Sequence, residues 1–216
     1  MSDIKGVIFD LDGVIVSTDE YHFQAWNNLA EVEGVPFSRD DNERLRGVSR
    51  MESLEIILEK ATREYTDEEK LAMATRKNDI YRESLKNLTP DDILPGVKDV
   101  LAGLRERGVK MAIGSSSKNA QPILAAIGLS DAFDAIVDGT HISNSKPDPE
   151  VFAKAGEQLG LAPKECLVVE DADAGVEAGV AAGMPVLAVG AASGHSAAVL
   201  HAADLTGISL NEMLMK

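Results

Sequence analysis

The chain has one cysteine among its 216 residues, Cys166. An intramolecular disulfide is therefore excluded, and the thiol, set in the apolar run CLVVED, reads as a small core side chain in a reducing compartment. Positive charge is also scarce: 21 Lys and Arg against 36 Asp and Glu leave a formal charge of -15. Nucleic acid and anionic lipid bind through Lys and Arg that neutralise phosphates, so neither is expected as a partner. A phosphate handled by this chain must be met by a local group of donors. No stretch approaches the ~18 consecutive apolar residues that a membrane-spanning helix requires. The opening MSDIKG lacks the long apolar segment of a secretory signal, so a cytoplasmic location is expected. Internal repeats and low-complexity tracts are missing too.

What is present is an apolar fraction of 44%, enough for a sizeable core in one domain plus an insertion. Val- and Ile-rich runs occur at KGVIFD, VKMAIGS, FDAIVDG, CLVVED and PVLAVG, each closing on Gly, Ser or an acid. Such runs read as strands buried on both faces. Between them lie segments of helical period: VKDVLAGLRERG, NAQPILAAIGL, PEVFAKAGEQLG and AGVEAGVAAGM. Strands alternating with helices predict an α/β fold with a doubly wound parallel sheet, in which ligands sit beyond the carboxyl ends of the strands. Between the first strand and LTPDDILPG the pattern is helical only, in DEYHFQAWNNLAEVEG, SRMESLEIILEKATRE and TDEEKLAMATRKNDIYRESLKN. The expected organisation is a core of residues 1–15 and 89–216 with an all-helical insert over 16–88. The tail is expected to add a short strand near Asp204 to Ile208 and a closing helix.

Asp10 and Asp12 follow the first strand, and Glu170 and Asp171 end another. Asp-Gly at positions 12 and 13 is an ordinary turn signal, and one such pair would need no further explanation. Several carboxylates on one rim of a sheet repel one another unless a cation joins them, and few oxygen ligands with room for water suit Mg²⁺. An aspartate can act as covalent nucleophile toward a phosphoryl group, provided a metal lowers the repulsion between the two anions. A second acid two positions on can carry the proton. In IGSSSKNAQ, Ser115, Ser116 and Lys118 leave a strand and enter a helix, where an anion can be held; a serine cap explains the same residues structurally. In SKPDPEVF, Pro147 restricts Lys146, Asp148 can cap and Pro149 suits a first helical turn.

DLDGV after a first strand, a serine ending a second, KPDP, and ED at a later strand end occur here in the order and spacing of the haloacid dehalogenase superfamily. The chain resembles that superfamily of aspartyl phosphotransferases, and the helical insert resembles its mobile cap. EYHFQAW at 20–26, NERLRGVSRMESL at 42–54, RKNDIY at 76–81 and SSSKN at 115–119 extend the likeness to the sugar-phosphate mutases within it. The resemblance implies that Asp10 is the nucleophile and Asp12 the general acid and base. It implies that Mg²⁺ is held by Asp10, the backbone carbonyl of Asp12, Glu170 and Asp171, and that Ser115 and Lys146 hold the transferring phosphate. Thr18, His22, Trp26, Arg46, Gly47, Val48, Ser49, Arg50 and Lys77 are implied as the hinge and cap side of the substrate site. Ser116, Ser117, Lys118 and Asn119 are its core side. Two positions depart from the pattern: Val16-Ser17-Thr18 replaces Thr-Asp-Thr in the hinge, and Arg46 stands where lysine is common.

The residues bear on this likeness independently. A mutase binds a bisphosphate in two orientations and needs a second anion site facing the aspartate, and the Arg50 fork, preceded by GVS, can supply it. A surface arginine at a helix start is the commoner explanation of such a residue in isolation, and His22 and Trp26 read equally well as core. The leading expectation is an isomerase that exchanges β-glucose 1-phosphate and glucose 6-phosphate through the bisphosphate, with a small sugar phosphate as its partner and a monomer as its state. A sugar-phosphate phosphatase is the first alternative and a non-catalytic binder the second. Asp10, Asp12 and Lys146 together argue against a binder.

Overall fold

The computed structural model describes residues 3–214. The described chain runs β1 (Gly6–Phe9), α1 (Asp19–Glu33), α2 (Arg39–Glu43), α3 (Arg50–Leu58), α4 (Asp67–Ser84), α5 (Val97–Glu106), β2 (Lys110–Gly114), α6 (Ala120–Ala126), β3 (Ala135–Val137), α7 (Glu150–Leu159), β4 (Cys166–Glu170), α8 (Asp173–Ala181), β5 (Val186–Ala188), β6 (Leu200–His201) and α9 (Leu210–Met213). All six strands are parallel, in the order β3-β2-β1-β4-β5-β6.

β1 is central because GVIF carries no polar side chain and is buried throughout. Val7 and Phe9 face one apolar layer with α5, α6 and α9, while Ile8 faces the other with α7 and α8. This alternation is the period of two that a strand imposes. The chain leaves β1 to build outward on one side through β2 and β3, then returns to β4 on the other. That reversal opens a crevice at the carboxyl ends of β1 and β4. Phe9 is in register with Val169, and the Asp10 N–H donates to the Val169 carbonyl at 2.9 Å. Asp10 therefore leaves β1 beside the Glu170–Asp171 end of β4.

α1 to α4 form the helical insert. α2, α3 and α4 each begin at a reciprocal capping box, Ser38/Asp41, Ser49/Glu52 and Thr66/Glu69, which satisfies orphan N–H groups at the helix start. The insert has its own apolar cluster around Trp26, Leu29, Leu54 and Ile57, each fully buried aliphatic side chain contributing about 1.5–3 kcal/mol.

Three expectations need correction. The insert holds a fourth short helix, α2, and α3 stops at Leu58, well before the end of the predicted segment. Beyond it Ala61 still packs against the insert's apolar cluster, but Lys60, Thr62 and Arg63 offer that cluster nothing apolar. The edge strand is Leu200–His201, whereas Asp204 bends the chain: its carboxylate accepts from the Thr206 N–H at 2.8 Å. Asp at a turn competes with ladder pairing in this way.

Candidate active site

The crevice opens into a cavity of about 990 Å³ between insert and sheet. Its floor is the acid rim. Lys146, 1% exposed, sits between two carboxylates, 2.5 Å from Asp10 Oδ1 and 2.5 Å from Glu170 Oε1. Burial opposes the ammonium charge, but Asp10 and Glu170 more than offset it and hold Lys146 above its ordinary range. Burial pushes the Glu170 carboxyl up against the pull of Lys146. It pushes Asp171 to about 8, with Glu170, Asp10 and Asp12 adding repulsion. Two glycines make this crowding possible. A Cβ on Gly13, whose φ is +88°, would overlap the Asp171 carboxylate, and one on Gly175 would overlap that of Glu170.

Among the described residues no three His, Cys, Asp or Glu side chains converge on one point as a ready metal cage. The reason is visible: Lys146 occupies the space between Asp10 and Glu170, and Asp171 Oδ2 faces Arg46 Nη1 at 3.4 Å. The donors nevertheless suit a hard divalent ion in kind. They are carboxylate oxygens, buried and mutually repelling, in a cavity with room for water.

Asp12 stands on the turn after Asp10. Both its oxygens are taken by Thr18: the backbone N–H donates to Oδ1 at 2.7 Å and the hydroxyl donates to Oδ2. With that proton committed, the Thr18 oxygen accepts from the Tyr81 hydroxyl at 2.8 Å. Burial pushes the Asp12 carboxyl up to about 7 despite the bonds from Thr18. A group balanced near neutrality can give and take a proton at nearly equal free energy.

The loop after β2 holds the next set. Ser115 N donates to the Val137 carbonyl, and Ser115 Oγ accepts from Ser117 N at 3.2 Å. Ser117 Oγ accepts in turn from Asn119 N at 3.1 Å. α6 starts only at Ala120, so the serines form a turn ahead of the helix rather than its cap. Pro149 holds the N-cap position of α7, and Asp148 just before it accepts from the first helical N–H, Glu150 N, at 2.9 Å.

The insert closes the cavity from above. Arg46 pairs with Asp19, with Glu43 at 2.8 Å and with Asp171 of the core at 3.4 Å, a three-way contact that uses the guanidinium fork. Gly47, with φ +74°, lies so near the core that a Cβ added to it would stand 3.3 Å from the Ala172 methyl group. Ser49 spends its hydroxyl capping α3, and Val48 lines the wall beside it. Arg50 lines the cavity with no hydrogen-bonding or ion-pairing carboxylate among the described residues, and burial lowers its pKa. A half-buried guanidinium without a partner is a group held ready for an anion.

Lys77 is 2% exposed and its Nζ lies 2.8 Å from His22 Nδ1. Burial, then the Arg50 charge, lowers Lys77 to about 7. While Lys77 is charged it has no acceptor and donates to Nδ1, which puts the His22 proton on Nε2, facing Asp12 Oδ2 at 3.6 Å. Burial, then Lys77 and Arg50, lower His22 well below its ordinary range, so it is neutral. Its ring packs on Tyr81 at 4.0 Å between centroids.

Every residue expected at the site except Thr18 lines this cavity. Thr18, 1% exposed, lies behind Asp12 and bonds to it, so it acts on the acid rather than on a ligand. Trp26 is first a core residue of the insert at 2% exposure, and Lys77 Nζ sits 4.6 Å from its ring centroid. Tyr81, Asn42 and Ser53 were not foreseen. Tyr81 lies four residues past Lys77, one turn along the same face of α4, and that spacing was the available signal. Asn42 and Ser53, buried at 8% and 4%, look from sequence like any polar helix residues.

The crevice thus lies at the reversal of a parallel sheet and is floored by an aspartate pair, a lysine and two further acids. The haloacid dehalogenase-like hydrolase family model matches residues 4–183, and the chain belongs to that family. It is 45% identical over 214 residues to the β-phosphoglucomutase of Bacillus subtilis, covering 97% of this chain and 95% of that protein. The crystal structure of a β-phosphoglucomutase from Clostridium difficile superposes with a TM-score of 0.91 at 38% identity, covering 97% of this chain and 95% of that one. A phosphorylated carbohydrates phosphatase of Thermotoga maritima is 32% identical over 184 residues, covering 84% of this chain and 82% of that protein.

Proposed function

We propose that the chain acts as a β-phosphoglucomutase, interconverting β-glucose 1-phosphate and glucose 6-phosphate through β-glucose 1,6-bisphosphate. The likeness to the Bacillus subtilis and Clostridium difficile proteins supports this over a phosphatase. The observation that carries it is the unpaired Arg50 guanidinium, facing the cavity from the insert while Asp10 faces it from the sheet. A phosphatase acting on a monophosphate has no need of an anion site at both ends.

In the proposed cycle, the phosphoryl group carried on Asp10 passes to the 6-hydroxyl of β-glucose 1-phosphate while Asp12 accepts the hydroxyl proton. The bisphosphate turns over, exchanging its phosphates between the acid rim and Arg50. Asp10 Oδ then attacks the phosphorus on O1, the P–O1 bond breaks, and Asp12 returns its proton to O1. Ser115 and Lys146 steady the transferring phosphoryl group; Ser117, Lys118, Asn119 and Arg50 hold the distal one. Asp10, the Asp12 carbonyl, Glu170 and Asp171 are the residues proposed to hold Mg²⁺, with Lys146 and Arg46 yielding their carboxylates to it. The ion's contribution when bound is to neutralise charge between nucleophile and phosphate. Residues 16–88 act as the lid whose closure excludes water, so that sugar rather than solvent accepts the phosphoryl group. The protein is proposed to work as a cytoplasmic monomer; among the described residues no helix is long and apolar enough to cross a membrane.

The test is incubation with Mg²⁺ and β-glucose 1-phosphate, with and without the 1,6-bisphosphate. Glucose 6-phosphate should form, faster when the bisphosphate is present. Rapid inorganic phosphate with little isomer would make the protein a hydrolase.

A further inference from the structure

Besides the contacts that Thr18 and His22 make with Asp12, two polar side-chain contacts join insert and core among the described residues. One is Arg46 with Asp171; in the other, Asn119 Nδ2 donates to Asn78 Oδ1 at 3.1 Å. The loop that ends at Asn119 is wired mainly to the core. Ser117 N donates to Ser115 Oγ, Asn119 N to Ser117 Oγ, and Gly139 N to the Ser117 carbonyl. The Asn119 carboxamide is different: the residue is 6% exposed, and its side chain has one hydrogen-bond partner among the described residues, supplied by α4 of the insert. Asn78 follows Lys77 directly, so the same turn of α4 orients His22 at one step and Asn119 at the next.

We infer that Asn78 is a positioning residue for the distal phosphate. A primary amide carries two N–H groups. Asn78 accepts one and thereby fixes the plane of the Asn119 carboxamide, leaving the second N–H to be donated into the cavity both residues line. Fixing a donor before the ligand arrives spares the ordering cost of a free rotor on binding. Because the acceptor sits on the insert, this donor is oriented only while α4 lies against the loop, so phosphate affinity and insert position are linked.

The inference rests on the proposed mutase reading, and the experiment separates the two. The probe is β-glucose 1,6-bisphosphate, titrated by calorimetry in an Asp10→Asn background where phosphoryl transfer does not intrude. Asn78→Ala should weaken binding roughly three- to tenfold, the range expected for one side chain that must be ordered on binding. Asn119→Ala should weaken it at least as much, and the double variant no further than Asn119→Ala alone, since Asn78 acts through Asn119. With Asp10 intact, Asn78→Ala should raise KM for β-glucose 1-phosphate by the same factor and leave kcat within about twofold. Additive losses, an unchanged dissociation constant, or a fall in kcat at constant KM would overturn the role of Asn78. Absence of bisphosphate binding to the Asp10→Asn protein itself would overturn the mutase reading from which it follows.

Discussion

At the scale of single residues, the site is a set of charges held where water cannot screen them. Asp10 and Arg50 face one cavity from opposite walls, and the proposed chemistry divides between them. Asp10→Asn should abolish isomerisation and phosphate release together, by at least on the order of 10³-fold, because a covalent route ends without its nucleophile. Arg50→Ala should spare phosphate release while lowering isomerisation on the order of 100-fold, the loss of two charge-assisted hydrogen bonds. Parallel assays of both products decide the matter, and equal losses in the arginine variant would remove the distal-site assignment. Lys77 gives a different signal. Its folded pKa, about 7, lies below the ordinary 10.5 because burial disfavours the ammonium. Between those values the unfolded chain binds a proton that the folded chain does not, so this group makes stability rise with pH across that window. The raised carboxyl groups of Asp12 and Asp171 act oppositely, but only up to about 8. The buried Cys166 thiol, pushed up to about 11, also opposes the lysine above pH 8, but equally in a Lys77 variant; from pH 8 to 10 the urea midpoint of the native protein should therefore climb relative to that of Lys77→Met.

Elements place these residues, and two tight approaches decide whether they can be placed at all. The turn after β1 passes so close to the end of β4 that Gly13 leaves no room for a side chain beside Asp171. Gly13→Ala combines a disfavoured left-handed φ with that overlap. It should cost about 1–3 kcal/mol of stability in denaturant unfolding and displace Asp171, so that Mg²⁺ no longer stabilises the protein. Retained Mg²⁺ stabilisation in a folded Gly13→Ala protein would show Asp171 to be dispensable for the ion. Much of this level was legible beforehand. GVIFD and CLVVED are unambiguous as buried strands, and their acids mark the ends. In the tail the closing helix was legible and is found at Leu210–Met213, but the strand was not, because a two-residue edge strand carries too few side chains to show a period and Asp204 simulates a boundary. α2 was missed for the same reason: five residues, RDDNE, contain no apolar stripe.

At the scale of the molecule, an α/β sheet and a helical insert with its own apolar cluster meet at the cavity, where Arg46–Asp171 is one of the polar ties, and along α1 and α4, where Ala25, Ile80 and Tyr81 pack into the apolar layer under the sheet. The insert is the proposed lid, and the linker that leads into it carries Ser17, which is exposed. Addition of the bisphosphate with Mg²⁺ to the Asp10→Asn protein should reduce the radius of gyration in small-angle scattering while the mass stays that of one chain. An unchanged radius would count against lid closure, and a doubled mass against the monomer.

The amino-acid order by itself determined the strands, the helical insert and the acids at the strand ends, because each depends on local periodicity or on residues within a few positions of one another. It could not assign Thr18 to the back of Asp12, give Tyr81 a place in the hydrogen-bond chain, or set Lys146 between Asp10 and Glu170. The first of these contacts spans six residues across an irregular turn and the others join positions 63, 136 and 24 residues apart, and no periodic pattern records them. Burial, which moves Asp12 to about 7 and Lys77 to about 7, exists only once the sheet and insert have closed over these groups, and so the tuning of the site belongs to the tertiary structure.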